Sequence, residues 1–145
     1  MVRAPSLAAG SLIETMYRGD FYASTGVTLK EVRFADDRLE IAIEPQPGVS
    51  YRTQFIGTLE GYDDTVAYLP SDPKRGLTCR YSDDIGRILC ERTGTSVSYK
   101  LTGREVYVRA KVISSAAHAV PVVAGEFQVA WTQPVQPACR RGGVR

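Results

Sequence analysis

The alternation at residues 39–44 constrains this chain more than any other feature. Leu39, Ile41 and Ile43 interleave with Glu40, Ala42 and Glu44, which fits a strand with one buried face and one wet face. Turn chemistry brackets it. Asp36-Asp37 precedes the run, and Pro45-Gln46-Pro47-Gly48 ends it, since proline cannot donate to a ladder and glycine accepts turn geometry. Other segments carry the same period. Val27, Leu29 and Glu31 lie before Phe34, and Tyr51, Thr53 and Phe55 form a strand that Gly57 is expected to close. Residues 87–92, 96–101, 106–114 and 126–132 follow, with Thr102-Gly103 as a tight turn and 115–125 as a loop. Residues 58–86 read as a long irregular excursion with one short strand near 66–69. Several short antiparallel strands joined by turns imply a mainly β protein, an antiparallel sandwich immunoglobulin-like in general shape.

One helix precedes the strands. Ser11-Leu12-Ile13-Glu14 has the form of a capping box, Leu12, Ile13, Met16 and Tyr17 share a face, and Gly19 stands where a left-handed C-cap is expected. The spacing predicts a helix over 11–18, within a single domain of 11–136. Residues 1–10 are expected to be flexible, as is a basic tail at 137–145 carrying Arg140, Arg141 and Arg145. At 145 residues the chain can bury one core without staples.

Charge and composition exclude several classes of function. With 18 basic and 16 acidic residues the net charge is +2, so neither nucleic acid nor an anionic membrane is expected as a partner. No apolar run approaches the roughly 20 residues of a membrane span. Pro5, Ser6, Gly10 and Ser11 interrupt any secretory signal, so the chain as it stands is expected to remain where it is made. Cys79, Cys90 and Cys139 are odd in number and unpatterned, which argues against a disulfide framework and a structural zinc site. Cys90 reads as a small buried hydrophobe.

Catalytic candidates are sparse. The single histidine, His118, lies among Ala116, Ala117 and Ala119 with no adjacent carboxylate. Metal sites and proton relays draw on several convergent groups, so His118 reads as an ordinary surface residue and the chain as non-enzymatic, with no cofactor and no bound metal. Asp63-Asp64 and Asp83-Asp84 match no calcium-loop spacing and read as solvated turns. Ser24-Thr25-Gly26 offers hydroxyls but no phosphate cradle; an independent hydrolase using Ser24 or the Asp pairs lacks a histidine relay. Among the aromatics, Tyr51, Tyr99 and Tyr107 fall on strands and read as packed. Tyr62, Tyr68 and Tyr81 belong to the excursion and would form any ligand face, for carbohydrate above all.

The stretch Gly19-Asp20-Phe21-Tyr22-Ala23-Ser24-Thr25-Gly26-Val27 resembles a junction in PHP-type metallohydrolases, the polymerase and histidinol phosphatase superfamily. There, the last helix of the barrel ends in glycine, and a Phe-Tyr-Ala-Ser-Thr-Gly stretch enters a C-terminal β-sandwich. Gln54-Phe55-Ile56-Gly57-Thr58, Tyr107-Val108-Arg109-Ala110 and Ala130-Trp131-Thr132-Gln133-Pro134 are similar to later segments in the same order. The likeness spans about 11–135. Catalytic metals in that family sit in a preceding barrel absent from this sequence, so no catalytic or metal role carries over. What the resemblance implies is a non-catalytic accessory module packing against a PHP-type catalytic domain or subunit; family members are often exported. Phe21, Tyr22 and Trp131 are expected to meet at the junction, where Trp131→Ala would cost about 3–5 kcal/mol.

Overall fold

The computed structural model describes residues 1–69 and 78–138. The elements are α1 (Ala9–Tyr17), β1 (Tyr22–Ser24), β2 (Leu29–Ala35), β3 (Arg38–Ile43), β4 (Tyr51–Leu59), β5 (Val66–Leu69), β6 (Thr78–Tyr81), β7 (Arg87–Thr93), β8 (Ser96–Lys100), β9 (Glu105–Ala117) and β10 (Phe127–Thr132). The protein is a mainly β, antiparallel sandwich with one short helix, as the alternation requires. One sheet runs β1-β10-β9-β4-β7, the other β2-β3-β8, and β5-β6 forms a separate two-stranded arm.

Alternating residues of both sheets fill the space between them. Leu39, Ile41 and Ile43 are 0%, 1% and 3% exposed, and they meet Phe55, Val108, Ala110, Val112 and Ala130 of the larger sheet in one apolar cluster. Phe55 stacks on Tyr99 of β8 with ring centroids 5.4 Å apart, joining the two sheets. The β2–β3 hairpin turns on Asp36 and Asp37 alone, both with positive φ (50° and 54°). Such a turn carries the twist that two-residue hairpins prefer, and aspartate is among the few residues that tolerate it.

Several boundaries differ from the sequence expectation. Gly57 does not close β4 but lies inside it. A Cβ there would stand 2.3 Å from the Tyr107 carbonyl oxygen, so glycine permits the close approach of β9 rather than a turn. The strand at 106–114 extends to Glu105–Ala117, shortening the following loop. The capping box does not form: α1 starts at Ala9, Ala8 caps it without a side-chain bond, and the Ser11 hydroxyl is buried without a partner. The helix end is as expected. Gly19 has φ +78°, and Gly19 N–H and Asp20 N–H donate to the Met16 and Thr15 carbonyls at 3.0 and 3.1 Å, a Schellman closure.

Met1 to Arg3, within the segment expected to be flexible, run beside residues 20–22. The Tyr22 N–H donates to the Met1 carbonyl and the Arg3 N–H to the Asp20 carbonyl. At the other end Pro137 is fully buried, and the Ala138 N–H donates to Asp37 Oδ1 at 2.8 Å. Pro70, Asp72, Pro73, Gly76, Cys139, Arg140, Arg141 and Arg145 lie outside the described residues.

Candidate functional site

The junction motif folds into a crossing between the two sheets. Tyr22 to Ser24 pair with β10 in the register Tyr22↔Thr132, Ala23↔Trp131, Ser24↔Ala130. Tyr22 points inward, 5% exposed, and its hydroxyl accepts the Leu29 N–H at 3.0 Å, beside the bulge that opens β2. Ser24 Oγ donates to the Val27 carbonyl at 2.6 Å and accepts the Gly26 N–H at 3.1 Å. Thr25 Oγ1 accepts the Val129 N–H at 2.9 Å. Gly26 has φ +143°, and a Cβ there would collide with Gln128. The hydroxyls are thus committed to building the turn.

Trp131 stands apart from Tyr22. Direct partners share a face, so Tyr22 and Thr132 face the core while Ala23 and Trp131 face outward. Trp131 is half-buried under two cations: the Arg109 guanidinium carbon lies 4.5 Å and Lys111 Nζ 4.9 Å from its ring centroid. A core aromatic cost for Trp131→Ala is therefore too high for this position. Phe21 forms an isolated bridge with Val2 and lines, with Tyr22, Met16 and Tyr17, a cleft of about 710 Å³ beside α1.

The helix leaves Leu12 half-buried and holds the other residues of its expected apolar face in solvent. Ile13, Met16 and Tyr17 are 53%, 51% and 90% exposed; the buried residue of α1 is Thr15, whose hydroxyl donates to the Ser11 carbonyl at 2.7 Å. The expectation of one apolar face holds in part. The face exists, but the sandwich does not cover it.

One member of each acidic pair, Asp63 and Asp84, braces the base of the β5–β6 arm. Asp63 Oδ1 accepts the Thr65 N–H at 3.0 Å, which holds its carboxyl below the ordinary value. Asp84 Oδ2 accepts the Asp63 N–H and Oδ1 meets Arg87 at 3.5 Å. Among the described residues no three His, Cys, Asp or Glu side chains converge. His118 Nδ1 accepts the Val120 N–H at 3.1 Å and shapes its own loop. Of the proposed ligand-face tyrosines, the arm's register (Val66↔Tyr81, Tyr68↔Cys79) puts Tyr68 and Tyr81 on one face with Val66 and Cys79. Both are more than half exposed. Tyr62 lies in the approach to the arm.

Sequence reasoning passed over Glu105. It is fully buried and accepts the Thr102 and Gly103 N–H groups, the Thr102 hydroxyl and the Tyr99 hydroxyl, at 2.9–3.1 Å. Burial pushes the Glu105 carboxyl up, but these bonds outweigh it and hold it below the ordinary value. Tyr99 is pushed up to about 12, by burial first and then by its bond to Glu105. The bonds to Glu105 hold the Thr102-Gly103 turn, and the two shifts favour a charged Glu105 and a neutral Tyr99. The signal was a carboxylate three residues after Thr102, beside a turn rich in free N–H groups.

The fold thus defines the class, an antiparallel β-sandwich with an appended helix and arm. No family model, curated protein or solved structure matches the chain.

Proposed function

We propose that this chain is a non-catalytic accessory β-sandwich that docks on a metal-dependent hydrolase domain of the PHP type. One observation carries the docking: α1 turns Ile13, Met16 and Tyr17 to solvent, with Leu7 92% exposed just before it. A helix of nine residues has little stability alone, and apolar side chains held together on it favour burial against another surface. The resemblance of residues 19–27 to the PHP barrel–sandwich junction, and of residues 130–134 to the closing segment of that family's sandwich, supports the choice of partner. The engagement of Ser24, Thr25, His118, Asp63 and Asp84 in turns supports a role by contact.

Size exclusion of the chain mixed with a PHP-type barrel lacking its own sandwich tests this reading. Co-elution is expected, and loss of it in Ile13→Ser and Met16→Ser variants; separate elution of the wild-type chain ends the proposal. Turnover of generic phosphoesters by the chain alone with added manganese would overturn its non-catalytic part. A second reading, a stand-alone carbohydrate-binding module, is favoured by the shared face of Tyr68 and Tyr81. A thermal-shift panel of glycans separates the two, because specific ligand stabilisation belongs only to the second.

A further inference from the structure

We infer that the cleft beside Pro134 is a binding site for a carboxylate carried on an apolar body, with Arg109 as its anchor. The cleft holds about 630 Å³ and is walled by Phe34, Tyr107, Pro134 and Val135, with Arg109 and Gln136 as its polar groups. That size and mixture fit an organic ligand with one oriented polar end.

Three independent observations choose the charge of that end. Arg109 and Lys111 are two residues apart on the outer face of β9, and both approach the Trp131 ring, at 4.5 and 4.9 Å. The ring attracts and orders both cations, yet two positive charges on one ring repel each other. Neither forms an ion pair with a carboxylate among the described residues, and Glu91, on the same face, is engaged by Arg52 at 3.6 Å and Gln54 at 2.9 Å. Arg109 Nε is also buried without an acceptor. An uncompensated cation and an orphaned donor on one side chain both favour an anion that accepts from the guanidinium. The planar carboxylate matches that fork, with Lys111 adding a second charge. Pro134 helps open the site, since it lacks an N–H and interrupts the pairing between β10 and the Val108↔Val135 bridge.

The carboxylate has two sources, a free organic acid or the terminal residue of a polypeptide. Both are tested on the ¹⁵N-labelled chain by following the Arg109 Nε–H resonance. Sodium 3-phenylpropionate represents the free acid and N-acetylglycylphenylalanine the chain terminus; the tighter of the two identifies the source. Saturable shifts are expected from at least one. The neutral 3-phenylpropionamide should bind about tenfold more weakly or worse, as expected for loss of a charge-assisted bond. Acetate, lacking the apolar body, should bind more weakly too. Arg109→Gln should abolish the shifts at Tyr107 and Val135, and Lys111→Gln, which spares the guanidinium packing, should weaken them. No saturable shift from either acid, or equal binding of the amide, overturns the inference. The chain is tested alone and Ile13→Ser should bind the acids normally, so failure here is distinct from failure of α1 to dock.

Discussion

Strand β3 and helix α1 carry the same kind of amphipathic pattern and meet opposite fates. In β3 the apolar residues at every second position are 0–3% exposed, enclosed by the facing sheet. In α1 the apolar residues recur at helical spacing, but Ile13, Met16 and Tyr17 are about half exposed or more. A pattern states what an element is able to bury; whether something covers it depends on the rest of the molecule. The difference marks β3 as the interior of this domain and α1 as an apolar face that the sandwich leaves exposed.

The sharpest way to break this contrast is to compare truncations in the two regions. Phe55→Ala, which removes a fully buried ring stacked on Tyr99, should cost about 3–5 kcal/mol in urea unfolding. Glu105→Ala should follow, on the order of 3 kcal/mol, because it strands the N–H groups of Thr102 and Gly103 and the Tyr99 hydroxyl inside the protein. Glu105→Gln should cost less, since the amide oxygen keeps part of the acceptor set.

The same cluster predicts the pH dependence of melting. Glu105 has a lowered folded pKa, so its stabilisation is present above the ordinary carboxylate range and fades as pH falls through the lowered value. Tyr99 is raised to about 12, so its contribution is complete below its ordinary value of 10.0 and is lost as pH climbs from there toward 12. In Glu105→Gln the acid-side loss should shrink; an unchanged acid limb would show that other carboxylates dominate it.

Smaller effects belong to the surface. Trp131→Ala should cost about 1–2 kcal/mol, for a half-buried ring and two cation–π contacts. A loss of 4 kcal/mol or more, well beyond that estimate, would return it to the core. Ile13→Ser should change stability by no more than about 0.5 kcal/mol while abolishing co-elution with a barrel. If it destabilises the chain as Phe55→Ala does, α1 belongs to the core and the contrast with β3 fails.

Much of the fold was legible because its determinants are local. The Asp36-Asp37 turn, the alternation of Leu39, Ile41 and Ile43, and the Gly19 helix stop each depend on residues close in the chain. The capping box failed for an equally physical reason. Ser11 lies inside a helix that begins two residues earlier, so its hydroxyl has no free N–H to accept. Gly57 misled because close backbone approach and turn geometry both select glycine, and only the position of the Tyr107 carbonyl distinguishes them. Trp131 was visible as a residue but not as a site. Its neighbours Arg109 and Lys111 come from β9, about 20 residues earlier, and only the register brings them over the ring.

Taken alone, the sequence determined the class of fold and that a single histidine is present. Period-two apolar spacing and the residue inventory are properties of the chain itself. The tertiary structure decided which face of each element is covered, where Glu105 finds its donors, and that Arg109 and Lys111 converge on Trp131 without a described counter-ion. Those outcomes depend on pairings between strands distant in sequence, and their energies exist only once two sheets have met.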